Sequence, residues 1–253
     1  MLSSKIPKAL VLLGLILGLF AAKNLKAQSY PFKKKDSIYK NGWIDLNKNG
    51  QMDPYENPQL SIDKRVDDLI SRMTVEEKTA QMVTIYGYGA VLKDEQPTKS
   101  WLKEPWKNGM GNMDEQLNGR KESDLLWPPA NHDESMNNIQ RFFIEQTRLG
   151  IPVDFTNEGI HGLKARKATS FPVEIGMGST WDPGLENQIA HVEGTEAKAL
   201  GYTNIYSPVL GLSRDPRWGR TVETFGEDPY LVSTMGVEMV KGLQDEGVAS
   251  TLK

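Results

Sequence analysis

The sequence predicts an α/β fold, a partial (β/α)8-like barrel that forms the N-terminal part of a longer protein. Three observations carry this. From residue 151 onward, short apolar segments alternate with helix signals, the rhythm of parallel βαβ units. Two helix starts repeat one device, Asp182-Pro183 and Asp228-Pro229, an N-cap with proline at the first helical position. The chain ends at Lys253 directly after a strand segment with no covering helix, and a full barrel takes roughly 250 residues for itself. The expectation is about half to two thirds of a barrel.

Taken in order, residues 1–27 read as a secretory signal peptide. Lys5 and Lys8 form its basic start, residues 9–22 its apolar run, and Leu25-Lys26-Ala27 a small-residue cleavage site. The run is too short for a comfortable membrane span, although an uncleaved anchor is the alternative. The mature chain then begins at Gln28 as an exported product, periplasmic or secreted, with no membrane attachment after leader removal. Residues 28–59 are polar and irregular. Residues 60–83 are helical, with Val66, Leu69, Ile70 and Met73 at helical spacing, and Thr74-Val75-Glu76-Glu77 fits a capping box that opens a second helix. Residues 84–134 are rich in Gly, Asn, Pro and Trp and read as one long loop. Residues 136–149 form an amphipathic helix with Ile139, Phe142, Phe143 and Gln146 on one side, closed by Gly150. Strands follow at 151–155, 203–207 and 248–252. Helices run from Asp182 to about 200, closed by Gly201, and from Asp228 to about 241.

The bulk composition excludes several classes. The chain has 253 residues, a net charge of -3 and no cysteine, with 38% apolar and 25% charged residues. The charge is too mild, and no basic run long enough, for nucleic acid. Without cysteine there is no disulfide, thiolate metal site or cysteine nucleophile. His132, His161 and His191 lack metal-ligand spacing, though His161 stands beside Glu158 where it would shape a pocket. Gly176-Met177-Gly178 is too short a match for a dinucleotide fingerprint.

In a parallel barrel, functional groups sit just after the strands. Three places meet that test. Glu158 lies within Asn157-Glu158-Gly159-Ile160-His161-Gly162. Arg217, Trp218 and Arg220 lie within Asp215-Pro216-Arg217-Trp218-Gly219-Arg220, followed by Glu223. Lys253 follows the last strand. Arginine offers forked hydrogen bonds to hydroxyls or carboxylates, and tryptophan an apolar face for a sugar ring. Trp101 and Trp106 are further stacking candidates. The alternative is a structural ion-pair loop.

An independent motif spans Asp45 to Glu56. Oxygen ligands fall at Asp45, Asn47 and Asn49, glycine at Gly50, a backbone carbonyl at Gln51, and acids at Asp53 and Glu56, which fits the calcium-loop template throughout. No helix signal precedes Asp45, and Gly42-Trp43 argues for a turn, so an Asx-rich turn is the alternative.

From about residue 60 to 253 the chain resembles the N-terminal domain of glycoside hydrolase family 3, the β-glucosidases and related exo-acting β-glycosidases. The resemblance rests on Arg65-Val66 through Met73-Thr74-Val75-Glu76-Glu77-Lys78, and on Gly150-Ile151-Pro152 through Asn157-Glu158-Gly159-Ile160-His161-Gly162. It continues in Thr169-Ser170-Phe171-Pro172, Gly201-Tyr202, Asp215-Pro216-Arg217-Trp218-Gly219-Arg220, Gly226-Glu227-Asp228-Pro229 and Val248-Ala249-Ser250-Thr251-Leu252-Lys253. It implies a TIM-like barrel followed by an α/β sandwich domain, and retaining hydrolysis of terminal non-reducing β-D-glucosyl residues. It also implies that Glu158, Arg220 and Lys253 bind the terminal sugar, the last as the Lys of a Lys-His pair whose His lies beyond residue 253.

Retaining hydrolysis needs two carboxyl groups across the sugar. In the family the nucleophilic Asp lies downstream of the Lys-His pair and the acid/base usually later still. No catalytic residue is therefore assigned within this chain, and the 253 residues alone are expected to be inactive. No organic cofactor is required, calcium at 45–56 is the one cofactor carried forward, and the partner is a carbohydrate. Alternatives within the fold are β-xylosidase, exo-glucanase and β-N-acetylglucosaminidase, the last disfavoured because its characteristic motif is not found. Outside it stand a non-catalytic carbohydrate-binding protein and a calcium-stabilised structural module.

Overall fold

The computed structural model describes residues 30–87, 91–116 and 129–253. The leader expected at 1–27 lies outside the described residues. Strands β1 (Tyr39–Lys40) and β2 (Trp43–Ile44) form a small antiparallel hairpin. It is fastened to the end of a later helix, where the Lys35 and Lys48 ammoniums donate to the carbonyls of Glu145 and Thr147, each at 2.6 Å. Helices α1 (Ile62–Arg72) and α2 (Val75–Ala80) follow. The sequence reading of 60–83 thus resolves into two helices split at Met73. Thr74 and Glu77 form the expected capping box.

The main sheet has five parallel strands in the order β3 (Thr84–Tyr86), β4 (Asn112–Asp114), β5 (Asp154–Asn157), β6 (Asn204–Ile205) and β7 (Ala249–Ser250). Strand order equals chain order, as in one continuous arc of an α/β barrel. Helix α3 (Pro129–Gln146) connects β4 to β5. The pair α4 (Glu174–Gly178) and α5 (Pro183–Ala199) connects β5 to β6, and α6 (Pro229–Asp245) connects β6 to β7. Asp182 and Asp228 cap α5 and α6, accepting from the Leu185 and Leu231 amides at 3.1 and 2.8 Å. Among the described residues the two long helices pack closely, and a side chain at Gly242 would run into Ala190 and the Asn187 carbonyl.

The long loop expected over 84–134 is corrected by the structure. Two barrel strands, β3 and β4, lie inside it, and α3 begins at Pro129 rather than 136. The reason is the chemistry of the sheet. Met113, Phe155 and Ile205 point outward into the core beneath the helices and are buried. Their neighbours point inward and are polar. Thr156 Oγ1 donates to Asn112 Oδ1 at 3.0 Å and Asp114 Oδ1 at 2.7 Å. Asn112 and Asn204 both donate to Asp154 Oδ2, at 3.0 and 3.1 Å, and Tyr206 OH donates to Asn112 Oδ1 at 3.3 Å. A three-residue strand carrying two polar side chains, such as Asn112-Met113-Asp114, offers no apolar run to recognise.

The outer core joins α3 to the sheet, and Ile139, Phe142 and Phe143 are fully buried there, as the amphipathic pattern predicts. Trp101 belongs to this core too. It is 1% exposed and meets Phe142 edge-on at 5.1 Å, so it is not a stacking platform for a sugar. Val66 and Ile70 of α1 remain exposed.

Candidate functional site

A cleft of about 680 Å³ opens at the C-terminal ends of the strands, lined by residues of the loop 158–165 together with Ser170, Arg220 and Glu223. Glu158 follows β5 directly. The loop after it is closed by Asn157, whose side chain accepts from the Lys164 amide at 2.8 Å and donates to the Lys164 carbonyl at 3.1 Å. Gly159 has φ +50°, and a side chain there would collide with Glu193 and Ile205, so the turn requires glycine. His161 shares a backbone-like pairing with Phe171, through its carbonyl at 2.9 Å and its ring Nδ1 at 3.1 Å.

The structure brings Glu158 and Lys253 together in a direct ion pair between side chains about one quarter exposed. The Lys253 backbone is fixed to the segment after β6, donating to Pro208 O at 3.0 Å and accepting from Leu210 N at 2.8 Å. Its ammonium also lies 5.6 Å from the Tyr206 ring centroid, within cation–π range. Arg220 faces the same cleft and donates from Nε to Glu223 Oε2 at 2.6 Å. Both carboxylates of the cleft wall thus have a cation. Neither stands free as a nucleophile, and both pairs carry hydrogen-bonding capacity that a polyhydroxyl ligand can take over.

Arg217 and Trp218 do not line the cleft. Arg217 is exposed and pairs with Asp215 at 2.6 Å, which holds the Asp215 carboxyl below its usual range. Trp218 is 40% exposed, with its indole laid against Gly211.

Two features escaped the sequence reading. The first is Asp114, at the end of β4 and fully buried. Burial, chiefly, with Glu115 and Glu158 adding to it, pushes its carboxyl up to about 6 against the opposing effects of Thr156 and Lys253. Its signal was present as the alternation Asn112/Asp114, matched by Asp154/Thr156 on the next strand. The second is a group of acids behind the cleft, Glu174, Glu186 and Glu193, all at 0–1% exposure. Burial raises Glu174 to about 8 and Glu186 to about 7, and raises Glu193 well above the usual range. Glu174 Oε1 accepts from Ser207 Oγ at 3.2 Å. Its other oxygen, and all four of Glu186 and Glu193, have no hydrogen-bond partner among the described residues. Glu186 and Glu193 share a helix face with Ile189, Ala190 and Ala197, a charged interruption of an apolar stripe visible in the sequence.

In the 45–56 loop, Gly50 takes the left-handed φ of +83°. Asp45 accepts from the Asn49 and Gly50 amides at 3.0 and 2.9 Å. Glu56 accepts from the Asn47 and Asp53 amides at 3.1 and 2.9 Å. Asp53 receives the Asn47 and Asn49 side-chain amides at 2.5 and 2.7 Å, and Arg72 lies 2.8 Å from its second oxygen. Gln51 donates its amide to Asn49 Oδ1 at 2.7 Å. The loop is a chain of Asx turns. Among the described residues no cluster of three or more His, Cys, Asp or Glu side chains is placed to hold a metal ion.

Comparison with known proteins gives these elements a context. Residues 74–253 match the glycosyl hydrolase family 3 N-terminal domain. A Formosa agariphila protein named putative β-xylosidase is 34% identical over 197 residues, covering 77% of this chain and 25% of its own length. The β-glucosidase C of Emericella nidulans is 32% identical over 208 residues, covering 76% and 31%. The solved structure of a β-glucosidase from Erythrobacter marinus superposes with a TM-score of 0.67 at 27% identity, covering 79% of this chain and 26% of that one. The chain therefore spans about a quarter to a third of the length of the relatives it matches.

Proposed function

Because the chain belongs to glycosyl hydrolase family 3, through that family's N-terminal domain, we propose that its cleft is the sugar-binding half of an exo-acting β-glycosidase site. The observation that carries this is a cleft lined by both Glu158 and Arg220, with Lys253 ion-paired to Glu158, at the strand ends where barrel enzymes hold substrate. Glu158 accepts from sugar hydroxyls. Lys253 and Arg220 donate to hydroxyl oxygens. The cleft, open and lined by part-exposed polar groups, suits a terminal sugar unit. Because Glu158 and Glu223 are each neutralised by a cation, the two carboxyl groups of retaining hydrolysis are assigned to neither.

The substrate is a terminal β-glucoside, as named for the Emericella and Erythrobacter proteins. A second reading, β-xylosidase, draws on the Formosa relative's name. A panel of aryl β-glycosides given to the complete protein tests both. Faster turnover of glucoside is expected; faster turnover of xyloside replaces the first reading with the second. Sugar binding without turnover of any of them would leave a carbohydrate-binding protein. The 253-residue chain alone is expected to show no turnover.

Two further parts of the proposal concern export and calcium. Among the described residues no helix is long and apolar enough to cross a membrane, and N-terminal sequencing of the exported product is expected to begin at Gln28. The 45–56 loop has the left-handed glycine and the oxygen-rich side chains of a calcium loop. Calorimetric titration is expected to register calcium uptake there, and the absence of heat at millimolar calcium would remove that part.

A further inference from the structure

Asp114 ends β4 on the polar inner face of the sheet, fully buried. Parallel pairing sets it opposite Thr156, two residues behind Glu158 on the neighbouring strand. Its Oδ1 is held by Thr156 at 2.7 Å. Its Oδ2 is buried and has no hydrogen-bond partner among the described residues. Glu158 and Lys253 are both near enough to perturb it electrostatically, in opposite senses. The remaining titratable groups around it are Glu115, which is paired with Lys164, the phenols of Tyr202 and Tyr206, and Tyr86, its register partner on β3.

A sugar hydroxyl that takes Glu158 disturbs the ion pair with Lys253. The Lys253 side chain is about a quarter exposed, and a cation that loses its counter-charge in such a setting must find another partner or water. The unpartnered oxygen of Asp114 belongs to a strand end beside the one that carries Glu158. We propose that Asp114 is a positioning residue of the sugar site, the carboxylate to which the Lys253 ammonium turns when a sugar occupies Glu158. It does not touch the sugar. It keeps the ammonium compensated and aimed into the cleft, and it must be ionised to do so. Sugar binding therefore favours the ionised form and releases a proton wherever free Asp114 is still protonated.

The inference rests on the sugar-binding reading, and its test separates the two. Without sugar, the titration of the Asp114 carboxyl is followed by carbon NMR in the complete protein and in its Glu158→Gln and Lys253→Met variants. The midpoint is expected to fall in the first and rise in the second. A midpoint indifferent to both substitutions overturns the inference, whatever the sugar result.

With sugar, calorimetry in two buffers of different ionisation enthalpy is expected to show proton release on the acidic side of the wild-type midpoint. Affinity should rise roughly threefold to tenfold through that midpoint, as linkage requires. Asp114→Asn, which retains an acceptor for Thr156, should bind with a flat pH profile, and Asp114→Glu should restore the slope. A profile unchanged in Asp114→Asn also overturns the inference. Absence of sugar binding at every pH, with the NMR midpoints coupled as described, would instead count against the sugar reading.

Discussion

At the cleft, Glu158 and Glu223 each face a cation across a short ion pair and remain in reach of water. In the helix layer behind it, Glu174, Glu186 and Glu193 are buried, and five of their six carboxyl oxygens have no hydrogen-bond partner among the described residues. The contact between Gly159 and Glu193 shows that the two sets lie close together. One residue type thus does two jobs, set by exposure and partner. A paired, part-exposed carboxylate stays charged and can exchange its partner for a ligand. A buried, unpaired one sheds its charge by keeping its proton.

Breaking the first half of the comparison should have the largest effect. Glu158→Gln keeps the shape and removes the charge. Calorimetry on the complete protein is expected to show sugar affinity lower by roughly a hundredfold, since a charged acceptor for several hydroxyls is lost, with the melting temperature nearly unchanged. A large fall in melting temperature with sugar affinity intact would reverse the roles assigned to the two regions.

The second half is read by pH. The interior glutamates hold protons in the folded chain where the unfolded chain, near the usual glutamate value of 4.5, has released them. Folding therefore takes up protons. The stability these groups contribute is complete below about 4.5 and is lost as pH rises through the folded values of about 7 and about 8. Thermal melts are expected to show stability falling by several kcal/mol from pH 5 to pH 8, one pKa unit being about 1.4 kcal/mol. Glu186→Gln, a neutral copy of the protonated acid, should flatten that slope. An unchanged slope would mean that Glu186 is not among the groups responsible.

Smaller changes sharpen the picture at the cleft. Arg220→Lys retains the charge and loses the guanidinium fork, so sugar affinity is expected to fall roughly tenfold in the same calorimetric titration. Arg217→Ala removes an exposed group whose partner is Asp215, and the expected change is under about threefold, as for other exposed pairs. A loss at Arg217 as large as that at Arg220 would put Arg217 in the site after all.

What the sequence made legible follows the same division. The capped helices were readable because Asp182-Pro183, Asp228-Pro229 and Thr74–Glu77 are local devices that act within one turn. Glu158, Arg220 and Lys253 were readable because they stand in motifs just after strands, and the structure brings Glu158 and Lys253 into contact with Arg220 on the same cleft. Arg217 and Trp218 shared a motif with Arg220, yet residues one or two apart point in different directions, and spacing alone could not tell which would face the cleft. Strands β3 and β4 were missed because their pattern depends on an inner face filled with Asn112, Asp114 and Tyr206, which only the closed arc brings together. The buried acids were missed for a related reason: Glu174 stands on α4, apart from Glu186 and Glu193 on α5, and the absence of hydrogen-bond partners for the latter two among the described residues is a tertiary fact.

The polar inner face of the sheet bears on how such a chain is made. Proteins emerge from the ribosome N-terminus first, and a partly finished sheet normally exposes sticky surface that invites aggregation. Here Asn112, Asp154, Thr156 and Asn204 on the inward face of β4 to β6 already bond to one another, while the oily face is covered by α3, α5 and α6 as each strand is laid down. The concave side of these strands is polar rather than apolar, so a nascent chain that has laid them down offers its neighbours little sticky surface on that side.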